Sequence, residues 1–242
     1  MTSTQRHRKH FIPLESNPDV FTELIHELGL SKSVSFQDVL SLDDPELLAF
    51  LPRPAYALVL VFPTTEAYEE RVKTKEAEVD EYRGSGAGED VVFFKQTINN
   101  ACGLYAILHA VCNGEARGMN GDNSLLGRLL EASVPLAPNE RALVLEGSKE
   151  LEVAYAVVAR KGDTEAPDSA EDEVDFHYVA FVKSHNNKHL YQLDGARKRP
   201  IDLGPLAADE DVLSKKCLDV IRSMIASESN NPNFSLMALV DG

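Results

Sequence analysis

Cysteine is scarce in this chain, with 3 residues in 242 at irregular spacings. An odd count excludes a complete disulfide framework and suits a reducing compartment, here the cytoplasm with the nucleus as a second location. Long apolar runs are missing too. None approaches the ~20 residues that a membrane-spanning helix needs. The start of the chain is basic, but Arg6-His7-Arg8-Lys9-His10 leads into Phe11-Ile12-Pro13-Leu14-Glu15 and not into a long apolar segment. That is not the pattern of a secretory signal. No Pro- or Gly-rich linker divides the chain, and 43% hydrophobic residues can bury one sizeable core. The expectation is therefore one domain over 1–242, with residues 1–10 as a flexible basic tail. Positive charge is in deficit: 24 Lys and Arg stand against 39 Asp and Glu, a net charge of -15. Such a chain is poorly suited to nucleic acid or anionic membranes and can steer toward a basic partner. No GxGxxG, P-loop, HExxH or EF-hand pattern is present, and no Cys/His pair has zinc-site spacing. Nothing calls for a metal or a cofactor.

What is present reads as a mixed α/β protein. Asn17-Pro18 starts a helix with its apolar face at Val20, Phe21, Leu24, Ile25 and Leu28, and Gly29 stops it. Tyr56–Phe62 is continuously apolar and reads as a central strand. Thr64 is placed to cap a charged helix that dissolves at Gly84–Gly88. Val91–Phe94 reads as a short strand, and Cys102 to about Cys112 as a buried helix with Leu104, Ile107, Leu108 and Val111. Further helices are expected around Leu125–Leu130, from Pro138, and from Val212 to Met224. Strands are expected at Phe176–Val182, Leu190–Leu193 and Phe234–Val240. From Lys161 to Asp175 the chain is acidic and poor in apolar residues, so it reads as a solvated, flexible loop.

The chemistry centres on Cys102. It follows two asparagines, Asn99 and Asn100, at the start of the apolar helix. A helix N-terminus presents unpaired N–H groups and partial positive charge, which favour a thiolate. Gln96, six residues upstream, supplies an amide donor for a developing oxyanion. A cysteine in an apolar helix is commonly just a small core residue, and that is the reading for Cys112 and Cys217. His109 reads as a packing histidine, and His185 and His189 as exposed groups beside a turn. A nucleophilic cysteine also needs an imidazole and a group that orients it. His177 and Asp194 fit. A hairpin centred on Asn186-Asn187 pairs Val179 with Asp194 and His177 with Ala196, so His177 and Asp194 become diagonal neighbours on one face. A slip of one residue would separate them.

The segment Gln96–Gly103 resembles the active-site signature of the ubiquitin C-terminal hydrolases, which are papain-like cysteine peptidases. Four other stretches resemble the same family in the same order: Pro13–Pro18; Asp44–Leu48 followed by Pro52-Arg53-Pro54; Asp175-Phe176-His177; and Leu190–Gly195. The similarity covers nearly the whole chain and is clearest to small single-domain members. It implies a papain-like α/β/α fold, a mostly antiparallel sheet flanked by helices, with a knotted backbone. It implies Cys102 as nucleophile, His177 as acid and base, Asp194 as its orienting group and Gln96 with the Cys102 N–H as oxyanion donors. Asn99 and Asn100 are then expected to shape the loop and cap the helix.

By the same resemblance the partner is ubiquitin or a related modifier carrying a small adduct on its C-terminal glycine, and the enzyme acts as a monomer without a cofactor. Leu14, Glu15, Asp19 and Asp38 match family positions near the modifier. Ser148–Asp175 matches the crossover segment that a leaving group must pass. Two rivals remain: a catalytically silent ubiquitin-binding module, and another papain-like enzyme such as a transglutaminase or amidase. The intact catalytic set disfavours the first. The matches at Pro13–Pro18 and Asp44–Leu48 disfavour the second.

Overall fold

A computed structural model describes residues 9–164, 169–172, 175–228 and 231–242. In chain order the strands are β1 (Lys9–His10), β2 (Val34–Asp38), β3 (Ala57–Pro63), β4 (Ile98–Asn99), β5 (Phe176–Lys183), β6 (His189–Leu193), β7 (Ile201–Pro205) and β8 (Ser235–Asp241). The helices are α1 (Pro18–Glu27), α2 (Pro45–Ala49), α3 (Glu66–Ala77), α4 (Cys102–Val111), α5 (Leu125–Ser133), α6 (Pro138–Gly147), α7 (Lys149–Val158) and α8 (Lys215–Ser227). Six strands form one sheet in the order β2-β8-β3-β5-β6-β7, with every neighbouring pair antiparallel.

Strand β3 is apolar throughout because both of its faces are covered. Ala57, Val59 and Val61 point into the core that contains α1, α4, α5 and α7, while Leu58, Leu60 and Phe62 point into the core beneath α8. Burying a Val or Leu side chain here contributes ~1.5–3 kcal/mol. A charge at Val59 or Leu60 would be buried without a partner and would break this strand first. Helix α4 is buried along its whole length, as an apolar periphery on every side requires. This arrangement is the expected α/β/α layering.

The helix starts follow local chemistry. Asn17 accepts a hydrogen bond from the Asp19 N–H at 2.9 Å with Pro18 in the first turn, and Gly29 leaves the helix at φ +91. Thr65, and not Thr64, caps α3 through the Tyr68 N–H at 3.1 Å. The Thr64 N–H instead donates to the Asp175 carbonyl at 2.8 Å, which continues the pairing of β3 with β5.

Two further expectations are corrected. Lys9 and His10, assigned to the flexible tail, pair in parallel with Ile98 and Asn99 immediately before the nucleophile. Residues 1–8 of that tail, His7 included, lie outside the described residues. Val91–Phe94 is buried but forms no strand, and the backbone of Val92 and Phe94 is satisfied by side chains of α4 and the turn after it. Helix α7, at the start of the crossover segment and ahead of the expected loop, contradicts no expectation and packs Leu151, Ala154, Tyr155 and Val158 into the core. Of the loop that follows, Glu165–Asp168 and Glu173-Val174 lie outside the described residues.

Candidate active site

Cys102 opens α4. Asn100 just before it is left-handed at φ +56, and Ala101 takes the cap position without a side-chain hydrogen bond. The first-turn N–H groups are therefore left for whatever lies at Cys102. The asparagines do not cap the helix as expected. The left-handed turn sends the Asn100 amide away from the helix, to the carbonyls of Ala170 at 2.9 Å and Asp172 at 2.7 Å in the crossover segment.

His177 lies near the start of β5, and Asp194 follows the last residue of β6. The β5–β6 ladder pairs Ala180 with Leu193 and Lys183 with Leu190, the register expected from the hairpin. His177 Nε2–H donates to Asp194 Oδ1 at 2.7 Å. The remaining ring nitrogen, Nδ1, is the one available to Cys102. Burial alone would push the His177 pKa down. The Asp194 charge and hydrogen bond, with the Cys102 thiol beside the ring, outweigh burial and push it up to about 10. Asp194 shows the complement: burial favours its neutral form, but His177, Arg197 and the Ala196 N–H together hold its pKa below the ordinary carboxylate value.

Arg197 was not anticipated. Its Nε lies 3.5 Å from Asp194 Oδ2, and its Nη1 lies 3.6 Å from Glu76 of α3. It supports the oxygen that His177 does not use. The only trace in the sequence is a cation three residues after the aspartate, inside the basic run Arg197-Lys198-Arg199.

Gln96 is fastened to the Asp194 turn. Its N–H donates to the Gly195 carbonyl at 2.8 Å, and its side-chain Nε2 donates to the Ile98 carbonyl at 3.2 Å. An amide nitrogen carries two hydrogens, so a second donor remains for an oxyanion. Gly195 does more than form a turn: a Cβ there would lie 3.0 Å from Gln96 Cβ and 3.3 Å from both Gln96 N and the Phe94 carbonyl oxygen.

A cleft of about 510 Å³ opens at Cys102, walled by Pro13–Ser16 on one side and by Phe176, Tyr178 and Phe234 on another. Leu14 is buried against Gly103, and its carbonyl accepts from the Tyr178 hydroxyl at 2.9 Å. Glu15 also lines the cleft, but its carboxylate is engaged within the protein. It accepts from the Thr164 N–H at 2.7 Å, from the Thr164 hydroxyl and from the Asp163 N–H at 3.2 Å. Burial raises the Glu15 pKa, yet these donors and Asn17 outweigh it and leave it lowered. Asp19 and Asp38 are exposed and lie outside the cleft lining. Partial burial and the Asp19 charge raise the Asp38 pKa, which marks the two as an acidic pair. Among the described residues no cluster of His, Cys, Asp and Glu could hold a metal, and no helix is long and apolar enough to cross a membrane.

A thiol at a helix N-terminus, an imidazole and a buried carboxylate define the papain-like class of cysteine peptidases. Within that class the chain belongs to the family described as ubiquitin carboxyl-terminal hydrolase, family 1, whose model matches residues 11–226. It is 39% identical to a ubiquitin carboxyl-terminal hydrolase of Aplysia californica over 228 residues, covering 94% of this chain and 99% of the relative. It is 33% identical to ubiquitin carboxyl-terminal hydrolase isozyme L1 of Homo sapiens over 227 residues, covering 94% and 96%. Its fold matches the catalytic domain of Trichinella spiralis UCH37 bound to ubiquitin vinyl methyl ester. That match has a TM-score of 0.73 and 23% identity, and covers 98% of this chain and 97% of that one.

Proposed function

We propose that the chain is a thiol-dependent deubiquitinase, one catalytic domain that removes small adducts or short peptides from the C-terminal glycine of ubiquitin or a closely related modifier. The observation that carries this reading is the 2.7 Å His177–Asp194 contact, with Cys102 beside the same ring at an uncapped helix start. His177 holds the proton as an imidazolium, and the Cys102 sulfur attacks the glycine carbonyl as a thiolate. Gln96 Nε2 and the Cys102 N–H receive the oxyanion, each such donor contributing ~3 kcal/mol to lowering the barrier. The intermediate collapses as the imidazolium protonates the leaving amine, and a thioester remains on Cys102. Water, deprotonated by neutral His177, then releases the free carboxylate and restores the thiol. Asp194 keeps Nε2 protonated throughout, so Nδ1 is always the nitrogen that meets the sulfur.

Leu14 and Glu15 line the route to the sulfur. Asp19 and Asp38 meet the basic modifier before it reaches the cleft. The crossover segment, tied at one end by Glu15 and at the other by Asn100, limits the leaving group to what can pass it. The enzyme works as a monomer without a cofactor, in the cytoplasm and the nucleus. The test is turnover of ubiquitin and its relative modifiers, each bearing a fluorogenic amide at the C-terminus. Absence of turnover for every modifier, with no covalent trapping of Cys102 by an electrophile on the ubiquitin C-terminus, would leave only a silent binding module.

A further inference from the structure

Val91, Val92, Phe93 and Phe94 are almost fully buried, yet belong to no strand. Buried backbone N–H and C=O groups require partners. Here the partners are side chains of the nucleophile helix and of the turn after it, with Arg141 of α6 on the Phe93 carbonyl at 3.2 Å. Asn113 accepts from the Val92 N–H at 2.7 Å and donates back to the Val92 carbonyl at 3.0 Å. His109 Nε2 accepts from the Phe94 N–H at 3.0 Å. The Tyr105 hydroxyl accepts from the Thr97 N–H at 3.2 Å.

The spacing explains why a helix can take the place of a strand. Four residues of helix, from Asn113 to His109, rise about 6 Å. Two residues of extended chain, from Val92 to Phe94, advance about 6.6 Å. The two rises match at this step, so Asn113 and His109 meet the N–H groups of Val92 and Phe94; over the next step, from His109 to Tyr105, the segment advances three residues, from Phe94 to Thr97. Continuing the row from His109 through Tyr105 leads to Cys102.

His109 suits this role chemically. It is fully buried and its ring stacks on Phe93 at 5.5 Å with 5° between planes. Burial pushes its pKa down to about 3, which keeps the ring neutral near neutral pH, and Nε2 accepts the Phe94 N–H. A protonated ring could not accept the Phe94 N–H. Nδ1 carries the proton and has no partner among the described residues.

We infer that Tyr105, His109 and Asn113 are positioning residues for Gln96. Together they fix the oxyanion donor to the helix that carries the nucleophile, so the distance from Gln96 to Cys102 is set by helix geometry and not by a free loop. The inference rests on Gln96 being the oxyanion donor proposed above. It also gives His109, read from sequence as simple packing, a place in the reaction.

The experiment measures kcat and KM on ubiquitin fluorogenic amide for His109→Leu, His109→Gln, Tyr105→Phe and Gln96→Ala, and for His109→Leu combined with Gln96→Ala. Removing the acceptor lets the segment shift, and a displacement of about 1 Å is enough to cost up to ~100-fold. His109→Leu is expected to lower kcat ~10-fold with KM within ~2-fold. Gln places an oxygen near the position of Nε2, so His109→Gln should recover kcat to within ~3-fold. In the Gln96→Ala background His109→Leu should change kcat less than ~2-fold, because the group it positions is gone.

Tyr105→Phe removes one hydroxyl and keeps the ring, and it carries the same cycle if His109→Leu does not fold. An equal loss with and without Gln96, or an unchanged kcat in both His109→Leu and Tyr105→Phe, overturns the inference. If Gln96→Ala alone leaves kcat unchanged, the oxyanion assignment fails and takes the inference with it, a result separable from the first.

Discussion

Gly195→Ala is the most demanding test of how the site is held together. The added methyl carbon would lie 3.0 Å from Gln96 Cβ and 3.3 Å from the Gln96 nitrogen and the Phe94 carbonyl oxygen. Carbon atoms in favourable contact sit about 3.5–4.0 Å apart, so the neighbours must give by a few tenths of an ångström. No flexible side-chain end is available to move, because the three contacts are two backbone atoms and the first side-chain carbon. The strain falls on the Gln96 N–H to Gly195 carbonyl bond of 2.8 Å, the link between the oxyanion donor and the Asp194 turn. Overpacking of this kind costs ~1–3 kcal/mol of stability. Displacing Gln96 or Asp194 by that distance should lower kcat ~10–100-fold. The assays are urea unfolding and steady-state turnover of ubiquitin fluorogenic amide. KM should change little, since the cleft wall at Leu14 and Glu15 is not touched. A variant of normal stability and normal kcat would refute the claim that close approach at Gly195 sets the catalytic geometry.

Cys102→Ala should abolish turnover while keeping modifier binding by calorimetry. Cys112→Ala and Cys217→Ala should stay active; burial pushes the Cys112 pKa up to about 12 and raises that of Cys217, so alkylation of the native protein should modify Cys102 first. The His177 pKa is raised above the ordinary ~6.5, so the stability it contributes is complete below that value and is lost as pH rises toward about 10. The pH profile of kcat/KM should therefore fall on its basic side near pH 10, and Asp194→Asn should move that limb toward neutrality; an unmoved limb would detach Asp194 from the imidazole. Asp19→Lys and Asp38→Lys should slow modifier association in stopped flow, as added salt does, without changing single-turnover chemistry. Lengthening the crossover segment with a Gly/Ser insertion near Ala166–Ser169 should raise cleavage of ubiquitin joined to ubiquitin and leave small-adduct turnover near normal, and no gain would move the size filter elsewhere.

The central strand β3, the buried helix α4 and the β5–β6 register were legible because each depends on apolar pattern or turn chemistry within a few residues. The same local logic placed His177 beside Asp194. What stayed hidden depends on contacts made far along the chain. Val91–Phe94 has the composition of a strand, and nothing nearby signals that His109 and Asn113 satisfy its backbone in place of a neighbouring strand. Strands β2 and β7 are only five residues each and flank the sheet as its two edges, too short to stand out by pattern, and β7 buries none of its residues fully. Arg197 gave no sign that it would be buried against Asp194 and Glu76. The engagement of Glu15 by Thr164 could not be foreseen, because the partners are far apart in sequence.

The strand order has a consequence for synthesis. Strand β8, late in the chain, lies between β2, which is made early, and β3. Until Ser235–Asp241 leaves the ribosome, β2 has no place to dock and β3 presents an open flank of apolar residues and unpaired backbone. Pairings so distant in sequence form slowly. An exposed apolar strand edge invites association with other chains. The nascent protein therefore needs shelter until β8 is made, and a chain arrested before Ser235 should remain protease-sensitive and chaperone-bound even with every catalytic residue already made.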